Sequence, residues 1–270
     1  MERSTLTVRM RGKARQAAKG LDWTAAGWVI LAASGALTLT GCESVASTQQ
    51  STLVRLIDAS SNALGVDLYA NGTKIVANQG FPTFSNYADV SSGTISLKVY
   101  PTGKTTPVDA QASGTLTAGG QYSLLLTDSG TGEATTLLTD QATAAPSGDF
   151  ALRIVQEAST VGAVDVYLTT ASSITATSST STSTSTTSSL SGLTPIVSDL
   201  AAGSTMSYTD IADGTYEIVI VPTGTTDVTT TTAYIDSSVT FSSGSVRTLL
   251  IANSSTSASN MTAVMGDDLD

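Results

Sequence analysis

Beyond residue 50, apolar and polar positions alternate more often than they cluster. Ile95, Leu97 and Val99 interleave with Ser96, Lys98 and Tyr100, and Tyr216, Ile218 and Ile220 interleave with Glu217, Val219 and Val221. A period of two puts one set on each face of an extended chain, so these segments predict strands half buried in a sheet. Two further segments, Tyr122 to Leu126 and Arg247 to Ile251, are apolar on both faces and suit central strands. Turn residues recur about every 8 to 12 positions, which gives about six or seven strands in each of two copies of the pattern and the spacing of a β-sandwich. No long helix is expected after residue 42.

The pattern occurs twice. Arg55 falls on Arg153 at an offset of 98, and Val66-Asp67-Leu68-Tyr69 falls on Val164-Asp165-Val166-Tyr167 at the same offset. The match resumes at an offset of 121, where Tyr87 meets Tyr208, Asp89 meets Asp210, Gly93-Thr94 meets Gly214-Thr215, and Pro101-Thr102-Gly103 meets Pro222-Thr223-Gly224. The second copy has therefore gained 23 residues. They show as a low-complexity run, Ser172 to Ser189, in which only Ile174 and Ala176 are neither Ser nor Thr. Such a run cannot build a core and is expected to be a solvent-exposed loop. In the first copy the same place holds Asn71-Gly72 between two apolar runs, a strong hairpin signal.

The start of the chain follows a different grammar. Arg3, Arg9, Arg11, Lys13, Arg15 and Lys19 precede an uncharged run from Trp23 to Gly41 that ends in Leu39-Thr40-Gly41-Cys42. A basic region, an apolar region and small residues before a cleavage point make a signal peptide. The final four residues resemble the lipobox of bacterial lipoproteins, and Cys42 is the only cysteine of the chain. That resemblance implies cleavage before Cys42, a lipid on its thiol and attachment to the membrane. The alternative is an uncleaved membrane anchor, for which the Thr, Ser and Gly of the run are poorly suited. Glu43 rather than Asp follows the cysteine, which in a Gram-negative host resembles the pattern of outer-membrane lipoproteins.

Composition narrows the chemistry. Loss of residues 1 to 41 removes six of the twelve basic residues but only Glu2 and Asp22, leaving 6 basic against 20 acidic residues and a net charge of −14. A chain so acidic offers phosphates no basic face, and no nucleic-acid partner is expected. The absence of histidine excludes triads with a His base, His-containing zinc sites and haem held through His. A single cysteine excludes an internal disulfide. No cofactor is expected.

Several segments occur in order and twice: Val54-Arg55-Leu56-Ile57-Asp58-Ala59-Ser60, then Val66-Asp67-Leu68-Tyr69-Ala70-Asn71-Gly72, then Tyr87 to Val90, with Gly93 leading into an alternating strand. Together they resemble the domain of unknown function 4397, found in bacterial secreted and lipid-anchored proteins and often in tandem. The resemblance spans nearly all of residues 53 to 253 and implies an immunoglobulin-like or transthyretin-like β-sandwich without enzymatic activity. Two departures stand out: Ser61 and Thr160 take the place of a proline common after Ala-Ser, and the second copy lacks the Asn-Gly turn.

The expected organisation is a signal peptide over 1–41, a lipidated linker over 42–52, one sandwich over 53–145, a second over 146–265 carrying the insertion 172–189, and an acidic tail over 266–270. Arg55 with Asp67, and Arg153 with Asp165, form the one charged pair kept in both copies. Parity places each Arg and Asp on the face away from the core, where neighbouring strands let them form a cross-strand clamp beside Tyr69. The other reading is a ligand-binding arginine. Asp89, Asp210 and Asp213 lie near turns and could be solvated carboxylates or calcium ligands, although no EF-hand spacing appears. Tyr122 and Phe241, set within strands, are expected in the core. These features describe a lipid-anchored cell-envelope protein that binds or displays, with a protein or glycan as partner. A glycan-binding or small-ligand-binding lipoprotein is the second reading, and a hydrolase built on a pair of carboxylates is the third.

Overall fold

A computed structural model describes residues 51–269, apart from 64, 109–110, 131, 171–175, 178–186 and 230–231. The signal peptide, Cys42 and most of the Ser/Thr run therefore lie outside the described residues. Among those described there are strands and no helix, as the alternation predicts.

The first sandwich contains β1 (Ser51–Asp58), β2 (Val66–Ala70), β3 (Thr73–Gln79), β4 (Thr83–Phe84), β5 (Ala88–Ser91), β6 (Gly93–Pro101), β7 (Gln111–Leu116), β8 (Gln121–Ser129) and β9 (Gly132–Asp140). Its inner sheet runs β4-β1-β8-β9, with β5 also on β1, and its outer sheet runs β3-β2-β6-β7. The second sandwich contains β10 (Asp149–Gln156), β11 (Val164–Thr169), β12 (Ala176–Thr177), β13 (Thr187–Ser189), β14 (Val197–Leu200), β15 (Ser204–Ala212), β16 (Gly214–Pro222), β17 (Asp227–Val228), β18 (Tyr234–Phe241), β19 (Val246–Asn253) and β20 (Met261–Asp267). Its inner sheet runs β15-β10-β19-β20 and its outer sheet β14-β11-β16-β18. The strand order is that of the first sandwich. In both, the first strand pairs parallel with the next-to-last, Leu53 to Asp58 along Gln121 to Leu126 and Ala151 to Gln156 along Val246 to Ile251. The strands that the alternation did not reveal, such as β7 and β9, are rich in Gly, Ser and Thr and carry too little apolar contrast to register.

Each sandwich has its own core, Val54, Leu56, Leu68, Leu97 and Leu124 in the first and Leu152, Ile154, Val166, Ile220 and Leu249 in the second. Phe150 and Phe241 stack there with ring centroids 4.0 Å apart, and Tyr122 sits in the first core with its hydroxyl accepting from the Thr117 amide at 3.0 Å. The central strands are buried on both faces because the inner sheets also pack against each other. Ile57, Ala59 and Leu125 of the first meet Val155, Leu250 and Ala252 of the second. The approach is close: a methyl group on Gly266 of β20 would stand 2.5 Å from the Phe84 ring of β4. The four larger sheets thus stack outer, inner, inner, outer, and a small fifth sheet, β12-β13-β17, belongs to the second sandwich.

Two boundaries differ from expectation. Of the expected tail 266–270, the described residues are not free, since Gly266 and Asp267 belong to β20 and Asp268 is fully buried. Nor is the insertion wholly a solvent-exposed loop. Its end forms β13, which pairs with β12 and β17, and the following Leu190 is only 4% exposed against Tyr167, Val219, Val221 and Val228. An apolar outer face on β11 and β16 drives this, because Leu190 and Val228 remove it from water. In the first sandwich β2 and β3 join through Asn71 and Gly72 at φ of 47° and 85°, the conformation that an Asn-Gly hairpin needs.

Candidate functional site

The repeated Arg and Asp residues do not pair with each other. The chain crosses from inner to outer sheet between β1 and β2, and again between β10 and β11, so residues of matching outward parity point to opposite sides of a sandwich. Parity placed each residue correctly on its own strand. The assumption that the two strands are neighbours is what the structure corrects.

Asp67 is buried beneath Lys74, which donates to its Oδ2 at 2.5 Å. It also accepts from the amide of Asn78 at 2.8 Å and the hydroxyl of Thr102 at 3.1 Å. Asp165 accepts from the amide of Asp199 at 2.8 Å, the hydroxyl of Thr223 at 3.1 Å and the amide of Gly224 at 3.3 Å. Each aspartate therefore ties its strand to the Pro-Thr-Gly turn after β6 or β16, where Gly103 and Gly224 take φ of 75° and 82°. This explains why the two motifs recur together.

The arginines face the other way and meet between the sandwiches. Arg55 donates from Nε to Ser123 Oγ at 2.7 Å, from Nη1 to the Asp267 carbonyl at 2.6 Å and from Nη2 to Asp268. Arg153 repeats the set, with Nε to Thr248 Oγ1 at 3.0 Å, Nη1 to the Thr139 carbonyl at 3.3 Å and Nη2 to Asp140 at 2.6 Å. Each guanidinium thus takes one partner from its own sandwich and two from the other. Separations of 4.0 Å from Arg55 to Asp140 and from Arg153 to Asp268 close the four charges into a ring.

Two tyrosines complete it. Tyr87 donates to Asp140 at 2.7 Å and Tyr208 to Asp268 at 2.6 Å, while the hydroxyls of Ser123 and Thr248 donate to the same carboxylates. The rings also lie 4.7 and 4.8 Å from the guanidinium carbons of Arg55 and Arg153. Burial pushes both phenols above their ordinary range, so they remain donors. Burial works against the charge of Arg55, but Asp268, Tyr87 and Asp140 outweigh it and raise its pKa. Arg55, Arg153, Asp140 and Asp268 are each no more than 5% exposed. Two positive and two negative charges with their hydrogen-bonding groups engaged can leave water together, where any three could not.

Asp140 and Asp268 escaped notice in the sequence because the last stretch of the repeat sits at yet another offset, 128, with little apolar likeness around it. The Tyr87 and Tyr208 match was the usable signal. Asp89, Asp210 and Asp213 are exposed, and no group of three or more potential metal-ligating side chains gathers among the described residues.

A perturbed carboxyl lies at the far end of β1. Asp58 is fully buried, its Oδ1 accepts from the Ser60 amide at 3.0 Å, and its Oδ2 has no hydrogen-bond partner. Burial pushes its pKa up to about 7, with the charges of Asp128 and Glu133 adding to the rise. Glu157 is also pushed up to about 7, by burial and by Asp128.

The domain of unknown function DUF4397 is detected over residues 52–167, which takes in nearly all of the first sandwich, β10 and the first four residues of β11. No curated protein matches this sequence.

Proposed function

We propose that the chain is a cell-envelope lipoprotein, held in the membrane through a lipid on Cys42, whose paired sandwiches bind or display rather than catalyse. The second sandwich is on this reading a second copy of the family domain, as the shared strand order and the matching Arg, Tyr and Asp positions support. The observation that carries the reading is the spending of two buried carboxylates, Asp140 and Asp268, on two arginines between the sandwiches. Charges used this way tie two modules together and leave neither carboxylate open to a substrate. The lipobox-like Leu39-Thr40-Gly41-Cys42 supports the anchor. In a Gram-negative host Glu43 directs the reading to the outer membrane.

Cys42→Ser tests it by detergent-phase partitioning and mass. The wild-type protein partitions into detergent with its first 41 residues replaced by lipid mass, and the variant does not, because the lipid supplies the membrane affinity. A variant that still partitions at full precursor mass would establish an uncleaved anchor instead. Protease treatment of intact cells then separates surface display from confinement beneath the surface.

A further inference from the structure

The outer faces of the two sandwiches carry different chemistry at matching positions. In the second, Tyr167, Val219 and Val221 are apolar and lie under Leu190, Val228 and Ala233. In the first, the same three positions are Tyr69, Lys98 and Tyr100, all partly exposed. Strand register sets Lys74, Tyr69, Lys98 and Gln111 in one row across β3, β2, β6 and β7. Adjacent strands are about 4.8 Å apart, so the stems of the two lysines stand about 10 Å apart with a tyrosine between them. Tyr69 and Tyr100 meet edge to face with centroids 4.9 Å apart, and Lys74 Nζ lies 5.5 Å from the Tyr69 ring. Ser113 pairs with Ser96 in the next row, adding hydroxyls to the same face.

The location of charge sharpens this. Six basic residues follow residue 41. Arg55 and Arg153 are buried between the sandwiches, and Arg247 holds Asp267 at 3.0 Å. The remaining three, Lys74, Lys98 and Lys104, all belong to the first outer sheet or the turn that follows β6. Lys74 shares its charge with Asp67, whereas Lys98 and Lys104 make no ion pair among the described residues. An acidic protein has thus gathered its lysines on, and at the edge of, one tyrosine-bearing sheet face.

We propose that this face binds an anionic polysaccharide, a chain of carboxylate-bearing sugars. A pyranose ring lies against Tyr69 or Tyr100, carboxylates reach Lys98 and the free side of Lys74, and sugar hydroxyls bond to Ser96, Gln111 and Ser113. Neutral sugars lack the charge, and an acidic peptide would leave the rings without a flat partner. The inference rests on the binding half of the proposed function and not on the anchor.

The test is calorimetric titration of the full chain, purified from membranes in neutral detergent micelles, with a galacturonate hexamer. Saturable binding is expected, weakened at least about fivefold when salt is raised from about 50 to about 300 mM. Lys98→Gln and Tyr100→Ala, checked for native far-UV circular dichroism, should each weaken it by about fivefold or more, since each removes one charge or one ring contact. A neutral glucan hexamer should give no heat. Absence of binding, binding indifferent to both substitutions, or tighter binding to poly-glutamate or to phosphatidylglycerol vesicles would overturn the proposal. If the hexamer is silent while Cys42-dependent partitioning holds, this proposal fails and the anchoring stands.

Discussion

The two sandwiches differ in the buried polar group at the end of their first strands. Asp58 stands where the second sandwich has Gln156, whose Oε1 accepts from the Ala158 amide at 2.8 Å just as Asp58 accepts from Ser60, and whose Nε2 donates to the Gly162 carbonyl at 2.8 Å. The amide uses both ends, but an ionised carboxylate here keeps one oxygen buried without a donor. With a folded pKa of about 7 against an unfolded value near 4, the unfolded chain releases this proton first as pH rises. Stability therefore falls between about pH 4 and pH 7 and stays low above that range, and Glu157 contributes in the same direction. Asp58→Asn should raise stability at pH 8 by about 1–3 kcal/mol and leave it nearly unchanged at pH 4, read from thermal melts at the two values. A gain at pH 4 equal to that at pH 8 would show that ionisation is not the cause. Sequence could not reveal this group, because an Asp beside Ala-Ser reads as an ordinary strand end until the second sheet buries it.

Among elements, the alternating and doubly apolar strands were legible, and β6, β8, β16 and β19 lie where the pattern put them. What the pattern could not show was which surface made β8 and β19 apolar on both faces, since a neighbouring sandwich and a second sheet of the same sandwich leave the same mark. The Ser/Thr insertion misled for a related reason. Composition describes its bulk, but Leu190 at its edge is what the outer face of β11 and β16 requires. Leu190→Ala should therefore cost about 2–4 kcal/mol, as for a buried leucine in any core. Denaturant unfolding measures it. A loss below about 0.5 kcal/mol, typical of surface sites, would return the segment to the status of a loop.

At the scale of the whole molecule, the buried ring of charge joins sandwiches that the chain connects by a short link between Asp140 and Asp149. A double-mutant cycle on Arg55→Ala and Asp268→Ala should show coupling of about 1–3 kcal/mol, with the single changes each costing about 3–5 kcal/mol because a charge is left behind. The cycle on Arg55→Ala and Asp67→Ala should show none, and coupling there instead would contradict the network. The repeat placed both arginines by sequence, but their partners depend on a contact between residues 213 apart, which no local pattern encodes. The network also gives the molecule a direction. Leu53, Gln121 and Asp140 lie in one row of the first inner sheet, and Arg247 and Asp267 in one row of the second. The arginine contacts draw those rows together, so every passage of the chain into or out of a sandwich falls at the same end. Ser61 and Thr160 share a cleft of the opposite end with Phe81 and Asn253. Ser51 and Asp267 therefore share one end of the described molecule, and the cleft lies about the length of an eight-residue strand away, roughly 26 Å. Probes placed on Ser51 and Asp267 would thus report on one end of the molecule, and probes on Ser61 and Asn253 on the other.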